Sequence, residues 1–290
     1  MQTQRPLAAA VWMSGSVLSF TAMAVAGRQI GGAHDTFEIM LWRSVIGLAL
    51  VVTVAGLAGR LGQISRARLG RHLLRNAVHF AGQNLWFWAL TAIPLAQLFA
   101  LEFTSPIWVL LLSPLLLGDR LTRMRVLAAG LGFAGAMMVA RPDLSQVDPA
   151  VLAAAASALC FALSIIATKA LTRQEGLVSI LFWLTLMQSG FGLLAAGHDG
   201  AIALPTAATL PWLALIGLGG VVAHLCLTKA LSLASAAVVV PIDFARLPLI
   251  AVLAMWLYGE PLDLWVLAGG ATIFLGNFLN IRRESRPAAA

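Results

Sequence analysis

Residues 7–141 of this chain are echoed by residues 148–282 at one constant offset of 141 positions, with no gap. Trp42 aligns with Trp183, Phe20 with Phe161, Glu102 with Asp243, Phe103 with Phe244, Gly118 with Gly259 and Asp119 with Glu260. Arg28 aligns with Lys169 and Arg141 with Arg282. A repeat of this length means two copies of one structural unit that complete each other's core, so it bounds the architecture before any local reading does. Units of 1–141 and 148–290 are expected.

Composition decides the solvent. The chain is 60% hydrophobic and 11% charged, against about 25% charged in soluble domains. Ten apolar stretches fall near 7–27, 36–58, 73–93, 96–117, 124–140, 149–171, 178–197, 209–231, 234–256 and 263–281. Each approaches the ~20 residues that carry a helix across ~30 Å of hydrocarbon. Barrel strands are half as long and alternate in polarity, so the expected fold class is an all-α polytopic membrane protein with ten transmembrane helices. The first stretch, with Arg5 ahead of it and Ala24-Val25-Ala26 near its end, has some look of a signal peptide. It is long for one, and its repeat partner at 149–171 is internal. Cys160 and Cys226 fall inside predicted spans and read as small apolar packing residues.

The net charge of +7 is distributed, not clustered for nucleic acid. Ten spans put both termini on one side. That side collects Arg5, Arg60, Arg66, Arg68, Arg71, Arg75, Arg120, Arg123, Arg125, Arg173, Arg282, Arg283 and Arg286, with Lys169 and Lys229 at its membrane edge. The other side holds Arg28 and Arg141. The asymmetry predicts cytoplasmic termini in a bacterial inner membrane, with the basic residues facing anionic lipid.

Five spans per unit is an odd number. The second copy therefore enters the membrane from the opposite side, and a direct repeat in sequence becomes an inverted repeat in space. Inverted repeats are the usual build of secondary transporters, with the substrate site near the midplane at the repeat interface. Duplication without transport is the alternative.

The segment Asn84-Leu85-Trp86-Phe87-Trp88-Ala89-Leu90, then Ser105-Pro106-Ile107-Trp108, then Leu115-Leu116-Leu117-Gly118-Asp119-Arg120-Leu121, resembles the drug/metabolite transporter superfamily, EamA type. Leu257-Tyr258-Gly259-Glu260-Pro261-Leu262 stands at the matching place in the second half, and Trp42-Arg43 resembles the aromatic-Arg feature of the second span. The resemblance covers nearly the whole chain. It implies ten helices, five plus five, moving metabolites by alternating access, and among such members the general similarity suggests a bacterial amino-acid exporter.

Charges inside the bilayer cost about 2.5–3.5 kcal/mol each on insertion scales, so those retained carry information. Arg43, Glu102, Asp243 and Arg246 are such charges. Arg43 and Glu102 lie at similar depth, roughly 10 Å below the outer surface, and are expected to pair. Asp243 and Arg246 stand three apart on one helix, close enough to meet. These groups serve either as packing ion pairs or as substrate and proton-coupling sites. Asn76, His79 and Gln83 form a polar stripe on the third span that Trp86 or Phe87 continues, and His224 is the repeat equivalent of Gln83. Prolines at 106, 114, 241 and 248 interrupt the fourth and ninth spans. Spans three, four, eight and nine are therefore expected to line the pathway. The expected substrate residues are His79, Gln83, Trp86, Glu102, Trp108, Trp183, His224, Asp243 and Arg246, with Arg43, Glu102 and Asp243 as coupling or ion-pair groups. Trp42 is a further candidate for an apolar wall, whereas Trp212, Trp256 and Trp265 read as interface anchors. Gly130, Gly132, Gly135, Gly269, Gly270 and Gly276 suggest close packing of the fifth and tenth spans.

No phosphate loop, zinc motif or nucleophile elbow is present, so neither enzyme chemistry, nor a cofactor, nor a metal is expected. A channel usually assembles as a ring of subunits; a chain with its own pseudo-symmetry is expected to work as a monomer. The leading expectation is export of amino acids, aromatic ones included, or of related metabolites. The alternative is an uptake carrier for another small solute such as a nucleotide, sugar or polyamine.

Overall fold

In a computed structural model, residues 5–30, 32–93, 95–119, 121–140, 149–258 and 264–284 are described. Every regular element among them is helical. The helices are α1 (Pro6–Ile30), α2 (Thr36–Leu57), α3 (Leu69–Ala92), α4 (Leu95–Glu102), α5 (Ser105–Leu117), α6 (Arg123–Ala140), α7 (Pro149–Leu171), α8 (Leu177–Ala196), α9 (Leu210–Leu233), α10 (Ala236–Val239), α11 (Arg246–Tyr258) and α12 (Leu264–Glu284). A 3₁₀ segment, Val240–Ala245, joins α10 to α11.

Polarity runs from inside to outside in the sense opposite to a soluble protein. Leu57, Leu74, Leu115, Leu194, Trp256, Leu264 and Phe274 are exposed, while Arg43, Arg75, Asn76, His79, Gln83, Gln188, His224 and Arg246 are buried. An apolar exterior this extensive requires a non-aqueous surround, and the polar side chains turn inward because hydrocarbon offers them no partner. Six helical stretches among the described residues are long and apolar enough to cross a membrane: α1, α2, α7, α8, α9 and Val240–Leu257. Ser105–Leu117 and Leu264–Gly276 are shorter apolar helices. This is a multi-pass membrane protein, but length and composition alone do not reach the expected ten. Two causes are visible. The expected third span, α3, carries the buried polar stripe, and the expected fourth is split into α4 and α5.

Packing runs chiefly between the halves. α1 lies along α9, α3 along α7, α2 along α8 and α6 along α12. Under the repeat shift, α1 corresponds to α7 and α3 to α9. The first two contacts therefore exchange with each other, and the last two map onto themselves. Missing side chains set how closely some pairs approach. A Cβ on Gly135 would sit 2.6 Å from the Gly269 carbonyl oxygen, and one on Gly132 would run into the Phe244 ring. Gly130, by contrast, has open space around it. Small residues at such crossings bring helix backbones into van der Waals range, which stabilises association where no hydrophobic driving force exists.

The breaks in the fourth and ninth spans fall at equivalent places. Glu102 ends α4 and Ser105 begins α5, while Asp243 lies in the 3₁₀ segment and Arg246 begins α11. Pro106 occupies the first turn of α5 and Pro241 the first turn of the 3₁₀ segment. There a missing N–H costs nothing, because the first amides of a helix have no internal acceptor. The prolines thus begin helices at the breaks, while Pro114 is carried inside α5.

Several cations read as topology signals have structural roles. Lys169 Nζ donates to the carbonyls of Leu231 at 2.5 Å and Ala234 at 2.6 Å, capping the end of α9. Arg173 donates to the Leu117 carbonyl and lies 3.6 Å from Asp119. Arg75 and Arg125 are buried. The expectations resting on Arg120, Arg141, Gly259, Glu260, Pro261, Leu262 and Arg286 lie outside the described residues.

Candidate functional site

A cavity with about 870 Å³ of empty space, its opening included, lies between the halves, within the ~300–1,000 Å³ typical of small-molecule pockets. Met13, Phe20, Met23 and Ala24 of α1 line it, with Arg75, His79, Gln83, Trp86 and Phe87 of α3. Phe161, Ser164, Ile165 and Thr168 come from α7, His224 and Leu227 from α9. Glu102 and Ser105 enter at the first helix break, Val240, Asp243 and Arg246 at the second. Most of this wall consists of repeat-equivalent pairs: Phe20 with Phe161, Met23 with Ser164, Ala24 with Ile165, Gln83 with His224, Trp86 with Leu227, Glu102 with Asp243 and Ser105 with Arg246. The cavity therefore sits where the two units meet, each supplying the same structural positions.

One end is held by a charge cluster. Arg246 donates to Glu102 Oε1 and, at 2.9 Å, to Asp243 Oδ2. Trp86 Nε1 donates to Glu102 Oε2 at 2.6 Å, so both oxygens of this carboxylate are occupied. The Arg246 guanidinium carbon lies 5.3 Å from the Phe103 ring centre, 5.5 Å from that of Phe20 and 5.8 Å from that of Phe99, within cation–π range. The pairing of Glu102 with Arg246 is an ion bond between the two halves, made where both discontinuous helices break.

The other end is basic. Arg75 donates to Thr168 Oγ1 at 3.0 Å and Asn76 Oδ1 at 2.7 Å, with its second terminal nitrogen 3.5 Å from His224 Nδ1. The His79 and His224 rings meet edge to face, centres 4.7 Å apart. Counted along α3 at ~1.5 Å per residue, Arg75 and Trp86 stand about 16 Å apart. Aromatic and methionine side chains occupy the middle: Phe20, Phe161, Phe87, Met13 and Met23.

Seven of the expected substrate residues converge on this one cavity: His79, Gln83, Trp86, Glu102, His224, Asp243 and Arg246. The expected partnership of Arg43 with Glu102 does not form. Glu102 is taken by Arg246 and Trp86, while Arg43 donates to Gln83 Oε1 at 2.7 Å. Arg43 occupies the space a side chain at 220 would need, since a Cβ on Gly220 would stand 2.8 Å from Arg43 Nε. That is why His79 has only a glycine as its repeat equivalent.

Trp183 and Trp108 are not brought to the cavity. Trp183 Nε1 donates to the Ser65 carbonyl at 2.7 Å, and its equivalent Trp42 donates to the Ala203 carbonyl at 2.9 Å. Each half-buried indole thus ties down a loop of the opposite half, its N–H finding a carbonyl acceptor there. Trp108 is 39% exposed on the outer surface of α5. Asn76 also leaves the stripe: its side chain donates to the Trp183 carbonyl, and Gln188 donates back to the Asn76 carbonyl at 2.8 Å, locking α3 to α8. Sequence reasoning missed Arg75, taken for a surface cation, and the contribution of α1 and α7. The matched pair Phe20 and Phe161 was the available signal for both helices.

Comparison with known proteins follows the same division. The EamA-like transporter family matches twice, over residues 7–141 and 148–282. A riboflavin transporter of Rhizobium johnstonii is 38% identical over 229 residues, 75% of this chain and 73% of that protein. A riboflavin transporter of Vibrio cholerae is 31% identical over 280 residues, covering 93% of this chain and 91% of that protein. An S-adenosylmethionine uptake transporter of Rickettsia bellii is 23% identical over 275 residues, 95% of this chain and 94% of that protein. A solved crystal structure shares the fold at a TM-score of 0.80 and 20% identity, covering 96% of this chain and 99% of that one.

Proposed function

The chain belongs to the EamA-like transporter family, and from that premise we propose that it is a secondary transporter importing a planar aromatic heterocycle of the riboflavin kind. The observation that carries this reading is the cavity itself. Its walls are aromatic on both sides, with Phe20 facing the site from one repeat and Phe161 from the other, and hydrogen-bonding groups stand at each end. A flat, polar-edged ring system matches apolar walls with a few placed donors and acceptors.

The membrane frame proposed here is ten spans, five plus five, the second set inverted, with cytoplasmic termini in the inner membrane. The exchange of α1–α9 for α3–α7 under the repeat shift supports it. So do the breaks at Glu102–Ser105 and Val240–Ala245, since discontinuous helices at corresponding positions of two inverted units are where alternating access places its substrate. The substrate residues are His79, Gln83, Trp86, Glu102, His224, Asp243 and Arg246, joined by Phe20, Phe161 and Arg75. Glu102, Asp243 and Arg246 bridge the halves and are the proposed coupling element. The whole cavity is built within one chain, which supports function as a monomer.

Export of amino acids, the leading expectation from sequence, gives way to the alternative of uptake. Relatives named for riboflavin transport and for S-adenosylmethionine uptake favour import of a larger ring-bearing metabolite. The test is accumulation of labelled riboflavin by cells of a riboflavin-requiring bacterium expressing this chain. Saturable uptake, competed by unlabelled riboflavin and lost in Phe161→Ala, is the expected result. Uptake at the level of empty-vector cells would sink the reading.

A further inference from the structure

The two ends of the cavity are not electrically alike. At one end Arg246 is neutralised by Glu102 and Asp243. At the other, Arg75 is more than nine-tenths buried, and its hydrogen-bond partners among the described residues are neutral: Thr168, Asn76 and His224. Arg43, equally buried, lies outside the cavity wall in a neighbouring small pocket that shares His224, and donates to the neutral Gln83. A buried guanidinium without an anion is costly, because removal from water is offset only by pairing.

The neighbouring histidines point the same way. Arg75 can only donate, so in its contact with His224 the Nδ1 atom is the acceptor. The neutral ring then carries its proton on Nε2. That Nε2 is buried without a partner, and so is His79 Nε2 on the ring packed against it. Arg43 Nε is likewise unpartnered. His79 and His224 are each more than nine-tenths buried, and both line the cavity with Arg75. Unpartnered ring nitrogens and a guanidinium with neutral partners therefore gather at one end, while the carboxylates among the described lining residues, Glu102 and Asp243, are engaged by Arg246 at the other.

We infer that the Arg75–His79–His224 end of the cavity is a subsite for an oxyanion, a carboxylate or phosphate, carried on an aromatic substrate. The inference rests on the transporter reading above and narrows its substrate class: the aromatic body lies between Phe20 and Phe161, and the anionic group reaches the basic end. Charge-assisted hydrogen bonds from guanidinium and imidazole are about twice as strong as neutral ones, so the anion contributes to discrimination as well as affinity.

Ligand-induced thermal stabilisation of the purified protein tests this with two matched pairs: riboflavin against riboflavin 5′-phosphate, and indole-3-propionamide against indole-3-propionate. The expected result is half-saturation at about ten-fold lower concentration for the anionic member of a pair. Arg75→Gln should abolish that ratio and Arg75→Lys retain part of it, so a variant that merely folds poorly is told apart by the conservative change. Equal half-saturation for riboflavin and its phosphate, unaltered by Arg75→Gln, overturns the subsite and leaves riboflavin import standing. Silence of both flavins, with discrimination between the indoles, sinks the riboflavin reading and upholds the subsite. Silence of all four ligands overturns both.

Discussion

Arg246→Met is the perturbation that asks most of the structure. The side chains of Arg246 and Glu102 are 6% and 8% exposed, and that of Asp243 is 19% exposed. Removing the cation strands two carboxylates at once. Breaking a buried ion pair by deleting one partner costs about 3–5 kcal/mol, because the orphaned charge has lost both water and counter-ion. Glu102 keeps one hydrogen bond, from Trp86, and Asp243 keeps some hydration, so the loss should fall inside that range. Glu102→Gln is gentler. The amide oxygen still accepts from Trp86 and Arg246 retains Asp243, leaving about 1.5–3 kcal/mol for the lost charge-assisted bond. The expected order of stability is wild type, then Glu102→Gln, then Arg246→Met, the last with a melting midpoint on the order of 10 °C lower. Adding Glu102→Gln and Asp243→Asn to Arg246→Met removes the stranded charges and should recover most of the loss. Intrinsic tryptophan fluorescence during heating of the purified protein reads all four. If Arg246→Met melts with the wild type, or the triple variant is no more stable than the single one, the cluster is not the internal pin described here.

Other expectations are smaller in scope. Gly135→Val should wedge α6 from α12 against the Gly269 carbonyl and sharply reduce the yield of monodisperse protein, while Gly130→Ala, with open space around it, should not; size-exclusion profiles compare the two. Trp183→Phe loses one hydrogen bond to Ser65, about 0.5–1.5 kcal/mol, and should lower the melting midpoint while leaving the substrate KM unchanged, since the indole is away from the cavity. Gly220→Ala should push the Arg43 guanidinium from Gln83 and cost about 1–3 kcal/mol in overpacking. Combining Gly220→Ala with Arg43→Leu should relieve it, which a double-mutant comparison of melting midpoints measures.

Much of this was legible because membrane solvent simplifies the problem. In hydrocarbon, a charge or a histidine is kept only for a reason, so Glu102, Asp243, Arg246, His79 and His224 stood out, and the structure gathers them around one cavity. The prolines pointed to the helix breaks, and the repeat offset aligns the acidic residues that stand at them, Glu102 and Asp243. What stayed hidden depends on partners that sequence spacing does not give. Arg43 and Glu102 share a depth but face different neighbours. Trp42 and Trp183 sit at equivalent positions because each anchors a loop of the other half, an across-chain hydrogen bond that no periodicity encodes. Arg75 was mistaken for a topology charge because it lies only a turn or two inside α3, where an arginine commonly reaches back to the lipid headgroups. Here it turns inward to Thr168 and His224. Phe20 and Phe161 matched from the start, yet matching identifies a shared structural position before it identifies a use.

Counterflow in proteoliposomes tests the central claim most directly, because it separates a carrier that presents one cavity alternately to two sides from any open path. Vesicles preloaded with unlabelled riboflavin and diluted into a trace of labelled riboflavin should accumulate label transiently above equilibrium, then lose it. A tryptophan at position 164, on the cavity wall, should abolish the overshoot in protein that still purifies as a single species. Label that enters linearly with concentration, indifferent to what the vesicle contains and to Ser164→Trp, would contradict the account.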